Sequence, residues 1–148
     1  MSQSNQVIEL LTDAKGSFIH KEKLAAAGST IVPGDLVEVT AAGELQAHSV
    51  AGGAAQNAYA LANTANAGTI DDVYTVGSTV LYGIAHSGQE ANARVAVAAA
   101  AIPNGSPVES AGDGTVRVLA AGVILGYANE AVDNSGGATI VRLSISIA

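Results

Sequence analysis

The chain has 148 residues, 49% of them apolar, which suffices for one domain with a real core and excludes a disordered chain despite 17 glycines. Six Lys and Arg stand against 13 Asp and Glu, a formal net charge of −7, so nucleic-acid phosphates and anionic lipid are repelled and neither is an expected partner. There is no cysteine to form a disulfide or a cysteine-type zinc site. "MSQSNQVIELL" lacks the start of a secretory signal, and no stretch approaches the about 20 residues of a membrane span, so the expectation is a soluble protein made in the cytoplasm.

In chain order, the first segment differs in kind from the rest. Val7, Ile8, Leu10 and Leu11 form one apolar cluster and Phe18 and Ile19 a second, beside Lys15, Lys21 and Lys23, which are half of all the cations. "STIVPGDLVEVTAAGELQAH" (29–48) reads as a β-hairpin with Gly43 at its bend, and a short strand is expected around Tyr59 to Leu61. The runs 78–86 and 93–102 read as strands separated by "SGQEAN", the second being open to a helix on alanine propensity alone, and Pro103, which has no N–H for a ladder, ends either one. "SPVES" and "TVRVLA" flank "AGDG". "VILGYANEAV" and "TIVRLSISI" flank "DNSGG", with period-two alternation from Leu143 onward. Short strands with Gly, Pro, Asn or Asp at each break indicate an all-β sandwich or barrel.

The chemistry-bearing motifs are sparse. A phosphate cradle at "AGDGT" would need a helix after it, whereas "TVRVL" is strand-like, so a hairpin turn is expected. His20, His48 and His86 have no second ligand at metal-binding spacing and read as surface or satisfied side chains. No G-x-S-x-G elbow presents a serine nucleophile, and the neighbours Asp71 and Asp72 read as solvated loop acids. "GTIDDVYTVG" (68–77) resembles the substrate motif of trimeric dUTPases, but its spacing is one residue off at Val76-Gly77 and that family's Gly-Arg-Ser-Ser loop and glycine-rich C-terminal arm are missing. No catalytic residue, cofactor or metal is therefore expected.

A second resemblance covers more of the chain. "VPGDLVEV…GELQAH", "AYAL", "IPNGSPVESAGDGTVRV" and "GVILGYANEAVDNSGGATIVRLSISI", in this order from about Val32 to Ile147, resemble the head decoration, or cement, proteins of tailed bacteriophages. That resemblance implies a small β-barrel of the β-tulip type over 28–148, an N-terminal arm over 1–27, and a homotrimer bound to the major capsid protein on the outer surface of the head. A trimeric β-domain of a tail fibre or baseplate shares the composition and is the alternative. On this view Val7, Ile8, Leu10, Leu11, Phe18, Ile19, Lys15, Lys21 and Lys23 are the candidate capsid contacts, and a body lacking residues 1 to 23 is expected to stay folded and trimeric while its capsid binding weakens or is lost; the alternative is an ordinary first strand packed on its own barrel, in which case the truncated chain unfolds.

Overall fold

The computed structural model describes residues 8–10, 18–63 and 68–148, with no helix among them. Eleven strands follow in chain order: β1 (Glu9–Leu10), β2 (Ile19–Leu24), β3 (Leu36–Val39), β4 (Leu45–Ala47), β5 (Ala58–Ala60), β6 (Thr79–Ile84), β7 (Glu90–Val95), β8 (Pro107–Ser110), β9 (Val116–Val118), β10 (Gly126–Ala128) and β11 (Val141–Ile147). They form two sheets, ordered β2-β6-β5-β3-β4 and β1-β7-β11-β10-β8-β9. The protein is all-β, as its alternating short runs and turn residues dictate.

Each sheet bends round until its ends meet. In the second sheet a parallel pair, Val95 with Val116, joins β7 to β9 and closes a ring. In the first, a parallel bridge from Ala25 to Leu45, with the Ala26 N–H donating to the Leu45 carbonyl at 2.8 Å, brings the end of β2 onto β4. Short strands with strong twist close in this way with little strain, and closure removes exposed edges.

The two rings are the same motif built twice. Replacing β2 to β6 by β7 to β11, one for one, turns the first strand order into the second, apart from β1, which adds to the outside of β7. The registers repeat too: Val37–Ala47, Glu38–Gln46 and Val39–Leu45 across β3 and β4 become Val108–Val118, Glu109–Arg117 and Ser110–Val116 across β8 and β9. Leu36–Tyr59 and Val37–Ala58 become Pro107–Tyr127 and Val108–Gly126. A sparse sequence echo accompanies this, since Ile31, Gly34, Val37, Glu38 and Gly43 recur at the same spacing as Ile102, Gly105, Val108, Glu109 and Gly114. Both glycine pairs sit at positive φ (93° and 81°; 84° and 84°), where a Cβ is strained, and so persist.

One core lies inside the first ring, around Val37, Leu45, Ala58, Tyr74, Val80 and Tyr82. The other fills the second ring, around Ala93, Val108, Val116, Leu143 and Ile145, and extends across to Leu36, Tyr59 and Phe18 of the first half. "AGDG" is the tight turn between β8 and β9. The Ala111 N–H donates to the Thr115 carbonyl at 2.9 Å, and the Asp113 carboxylate accepts from the Thr115 N–H at 3.0 Å, so its charge is spent inside the turn. The run expected over 93–102 lies differently. Its strand starts earlier, at Glu90, because Ala91, Ala93 and Val95 alternate into the core, and it stops at Val95 before a turn with Ala98 at φ 56°. Ile140, expected to belong to the last alternating run, precedes β11 and is exposed.

Candidate interaction surface

Of the nine residues that the sequence offered as capsid contacts, Val7, Leu11 and Lys15 lie outside the described residues. Leu10 belongs to β1, paired with Glu90. Ile8 and Phe18 are buried, 3% and 4% exposed, in the core of their own chain, so their side chains are not surface groups. Phe18 lies over Gly83 of β6, where a Cβ would come within 2.8 Å of the Phe18 Cβ. Gly83→Ala is therefore expected to displace that ring and lower the melting temperature by several degrees, by about the 1–3 kcal/mol of an overpacked core. A melting curve unchanged by the substitution would show that Phe18 is not held there.

The rest of the expected arm is β2, paired with β6 over its whole length from Ile19–Ile84 to Leu24–Thr79. Ile19 and Lys21 are exposed and Lys23 is half-buried. Ile19, Lys21 and Lys23 share one face, opposite Ile84, Tyr82 and Val80. Only these three of the nine form a described surface group.

Sequence reasoning missed a second surface. The loops after β4 and β9 meet back to back, the Val123 N–H donating to the Gly52 carbonyl at 2.9 Å, and around this contact Val50, Val123 and Ile124 are exposed. A fully enclosed carboxylate anchors it. Glu109 accepts from Arg117 Nε at 2.8 Å and Nη2 at 2.7 Å, and from the Gly122 N–H at 2.6 Å. Enclosure alone would raise the pKa of Glu109, but the hydrogen bonds from Arg117 and from the Gly122 and Ala120 N–H groups outweigh it and hold the carboxyl below its ordinary value. Glu38, its counterpart, is held low as well: desolvation raises it, and bonds from Ser49 and Gln46 more than offset that.

A depressed carboxyl pKa contributes stability above the unfolded-state value and loses it as pH falls through the folded-state value. The protein is therefore expected to lose stability as pH drops below the ordinary glutamate value of 4.5. Glu109→Gln is expected to melt lower at pH 7 and to lose less on acidification to pH 3. Parallel acid limbs for the two proteins would contradict this assignment.

Between the rings lies a second charged cluster. Asp35 pairs with Arg94 at 2.6 Å and accepts from the Val32 N–H at 2.9 Å, and burial pushes its carboxyl up against the pull of both. Arg142, beside Arg94 across β7 and β11, donates to the Pro33 carbonyl at 2.8 Å and the Ile70 carbonyl at 2.7 Å. A Cβ at Gly34 would strike that guanidinium, so this glycine is needed for space as well as for φ. These groups tie the rings together.

The structure does group a serine, a histidine and an acid that spacing could not connect. Ser110 Oγ is 2.7 Å from His48 Nδ1, and Glu38 Oε2 is 3.7 Å from His48 Nε2, which also lies 3.1 Å from the Ala54 carbonyl. Ser110 is wholly enclosed, so its hydroxyl reaches no substrate in this conformation; the trio satisfies buried polar groups. Asp71 and Asp72 lie in a turn, Asp72 accepting from the Thr69 N–H at 2.6 Å. In the dUTPase-like stretch Tyr74 is buried, its hydroxyl donating to the Leu61 carbonyl at 2.7 Å. A pocket beside β9 is lined by Ala96, Ala99, Ala111, Val116 and Val118, and its one cation, Arg117, is committed to Glu109. Among the described residues no three His, Asp or Glu side chains are placed to hold a metal ion.

No protein-family model matches the chain, and no curated protein does. A solved structure does: the head fiber gp8.5 N base of bacteriophage phi29, at 13% identity and a TM-score of 0.56, covering 88% of this chain and 95% of that one. The fold is shared. At that coverage the likeness takes in residues of both rings.

Proposed function

We propose that this chain is a structural subunit of a tailed-phage head, a decoration protein that sits on the outer surface of the shell as a homotrimer and reinforces it. The observation that carries this reading is the fold shared, over almost the whole length of both chains, with a protein named as the base of a phage head fibre. The exposed Val50, Val123 and Ile124 supply apolar surface of the kind that subunit and shell contacts cover. The acidic body suits a solvent-facing layer. The same reading makes the chain non-catalytic, with the major capsid protein as its partner and no nucleic acid or membrane.

Purified protein mixed with undecorated capsids is expected to co-sediment with them to saturation, and light scattering of the free or shell-released protein to report a trimer. Failure to co-sediment would overturn the head reading, and a monomer both free and on the shell would overturn the trimer. Incubation with dUTP and magnesium is expected to give no turnover above the buffer blank.

A further inference from the structure

We propose that copies of this chain join head to tail into the proposed trimer, on which reading this one rests: the loop carrying Val123 of one copy enters the alanine-lined pocket beside β9 of the next, and three such contacts close the ring. Past the bridge Val95–Val116, β7 and β9 part. The pocket, of about 310 Å³, is lined there by Ala99 and Ala100 after β7 and by Val118 and Ala120 along β9.

In the ladder of β8 with β9, the Ala111 N–H donates to the Thr115 carbonyl and the Leu119 N–H to the Pro107 carbonyl, both at 2.9 Å. By alternation Val118, opposite Val108, turns its own N–H and carbonyl away from β8, to the side where the pocket lies. Ala47 holds the same place in the first ring, and there its N–H donates to Ser29 Oγ at 3.3 Å. At the spacing that relates Ile31 to Ile102, the counterpart of Ser29 is Ala100, which has no hydroxyl. Among the described residues nothing accepts from the Val118 N–H. The pocket therefore has methyl walls and one unmet donor, and it suits an aliphatic side chain that brings a free carbonyl with it.

The chain carries such a group. Val123 is 48% exposed, and its N–H, donating to the Gly52 carbonyl at 2.9 Å, fixes the loop. Among the described residues no donor meets the Val123 carbonyl. A cavity of about 150 Å³ takes a benzene ring, so the pocket has room for a branched aliphatic side chain and the backbone beside it.

Charge selects a second copy of the chain. A net charge of −7 sets copies against each other over most contacts, but residues 118–129 contain no charged side chain. Arg117, the one charge on the pocket wall, is already paired with Glu109. Pocket and loop are different surfaces, so the contact is heterologous and closes by rotation. Ala120 in the pocket wall and Val123 are joined by at most about 11 Å of chain. A threefold rotation that carries loop onto pocket then keeps both near the axis, and the three contacts merge in one apolar centre.

The chain has no cysteine, so single introduced thiols report the contact. Ala100→Cys and Val123→Cys chains, co-expressed and treated with oxidised glutathione, are expected to give a linked two-chain band on a non-reducing gel, and each variant alone to give none. Ala100 and Val123 are both exposed, so Ala100→Glu and Val123→Glu leave the core intact. Each is expected to raise the concentration for half-assembly, read by light scattering, by about tenfold or more, with an unchanged circular dichroism spectrum as the control for folding. Val73→Glu, on an equally exposed valine before β6, is expected to leave assembly unchanged. No linked pair from the mixture, linkage in either variant alone, or a trimer undisturbed by both Glu variants would each overturn the proposal and leave the trimer standing. An Ala100→Glu chain that stays trimeric but no longer co-sediments with capsids would overturn it too, and give the pocket to the shell protein. A wild-type chain that is monomeric both free and released from the shell would overturn the contact and the trimer together.

Discussion

A chain lacking residues 1 to 23 is expected not to fold. The deletion removes β1 together with Ile8, Phe18, and all of β2 but Leu24. Truncating a buried Ile or Phe to alanine costs about 2–5 kcal/mol each, against a total stability of about 5–15 kcal/mol for a typical domain. The lost pairing with β6 then leaves a ring that cannot close, because the bridge from Ala25 to Leu45 has no strand behind it. This reverses the outcome expected from the sequence, in which the truncated body stayed folded. Circular dichroism and thermal melting test it directly: no cooperative transition is expected, and a sharp transition near that of the intact chain would restore a dispensable arm.

The second large effect uses the repeat as its own control. Tyr59 and Tyr127 occupy the same place in the two rings, each paired with the first residue of the neighbouring strand, Leu36 or Pro107. Tyr59 is fully buried between the rings, and enclosure raises its hydroxyl pKa well above the usual tyrosine value; Tyr127 is 44% exposed. Tyr59→Ala is expected to cost about 3–5 kcal/mol, a fall in melting temperature on the order of 10 °C, and Tyr127→Ala to stay within about 0.5 kcal/mol. Equal effects would mean that the rings do not pack through the Tyr59 face.

Much of the fold was legible because local chemistry decides it. The Gly43 and "AGDG" bends, the short strand at Tyr59 and the alternation from Leu143 follow from φ preferences and period-two burial. What the sequence concealed depends on long-range closure. The doubling is faint in the sequence because a ring constrains only its inward positions and its turn glycines, so the echo survives at Ile31, Gly34, Val37, Glu38 and Gly43 while the intervening residues differ. That echo, sought at a fixed offset, was the available signal. Ile8 and Phe18 read as an arm because an apolar cluster near the N-terminus looks the same whether it covers its own core or a partner's. Ser110 and His48, 62 positions apart, meet only through the ring contact.

Where this chain sits on a phage particle tests most directly the proposal that it is a building block of the head. Electron microscopy of phage particles mixed with the gold-labelled chain is expected, on the proposed function, to show label spread over the whole surface of the head. Label confined to the tail tip, or particles that carry none, would contradict it.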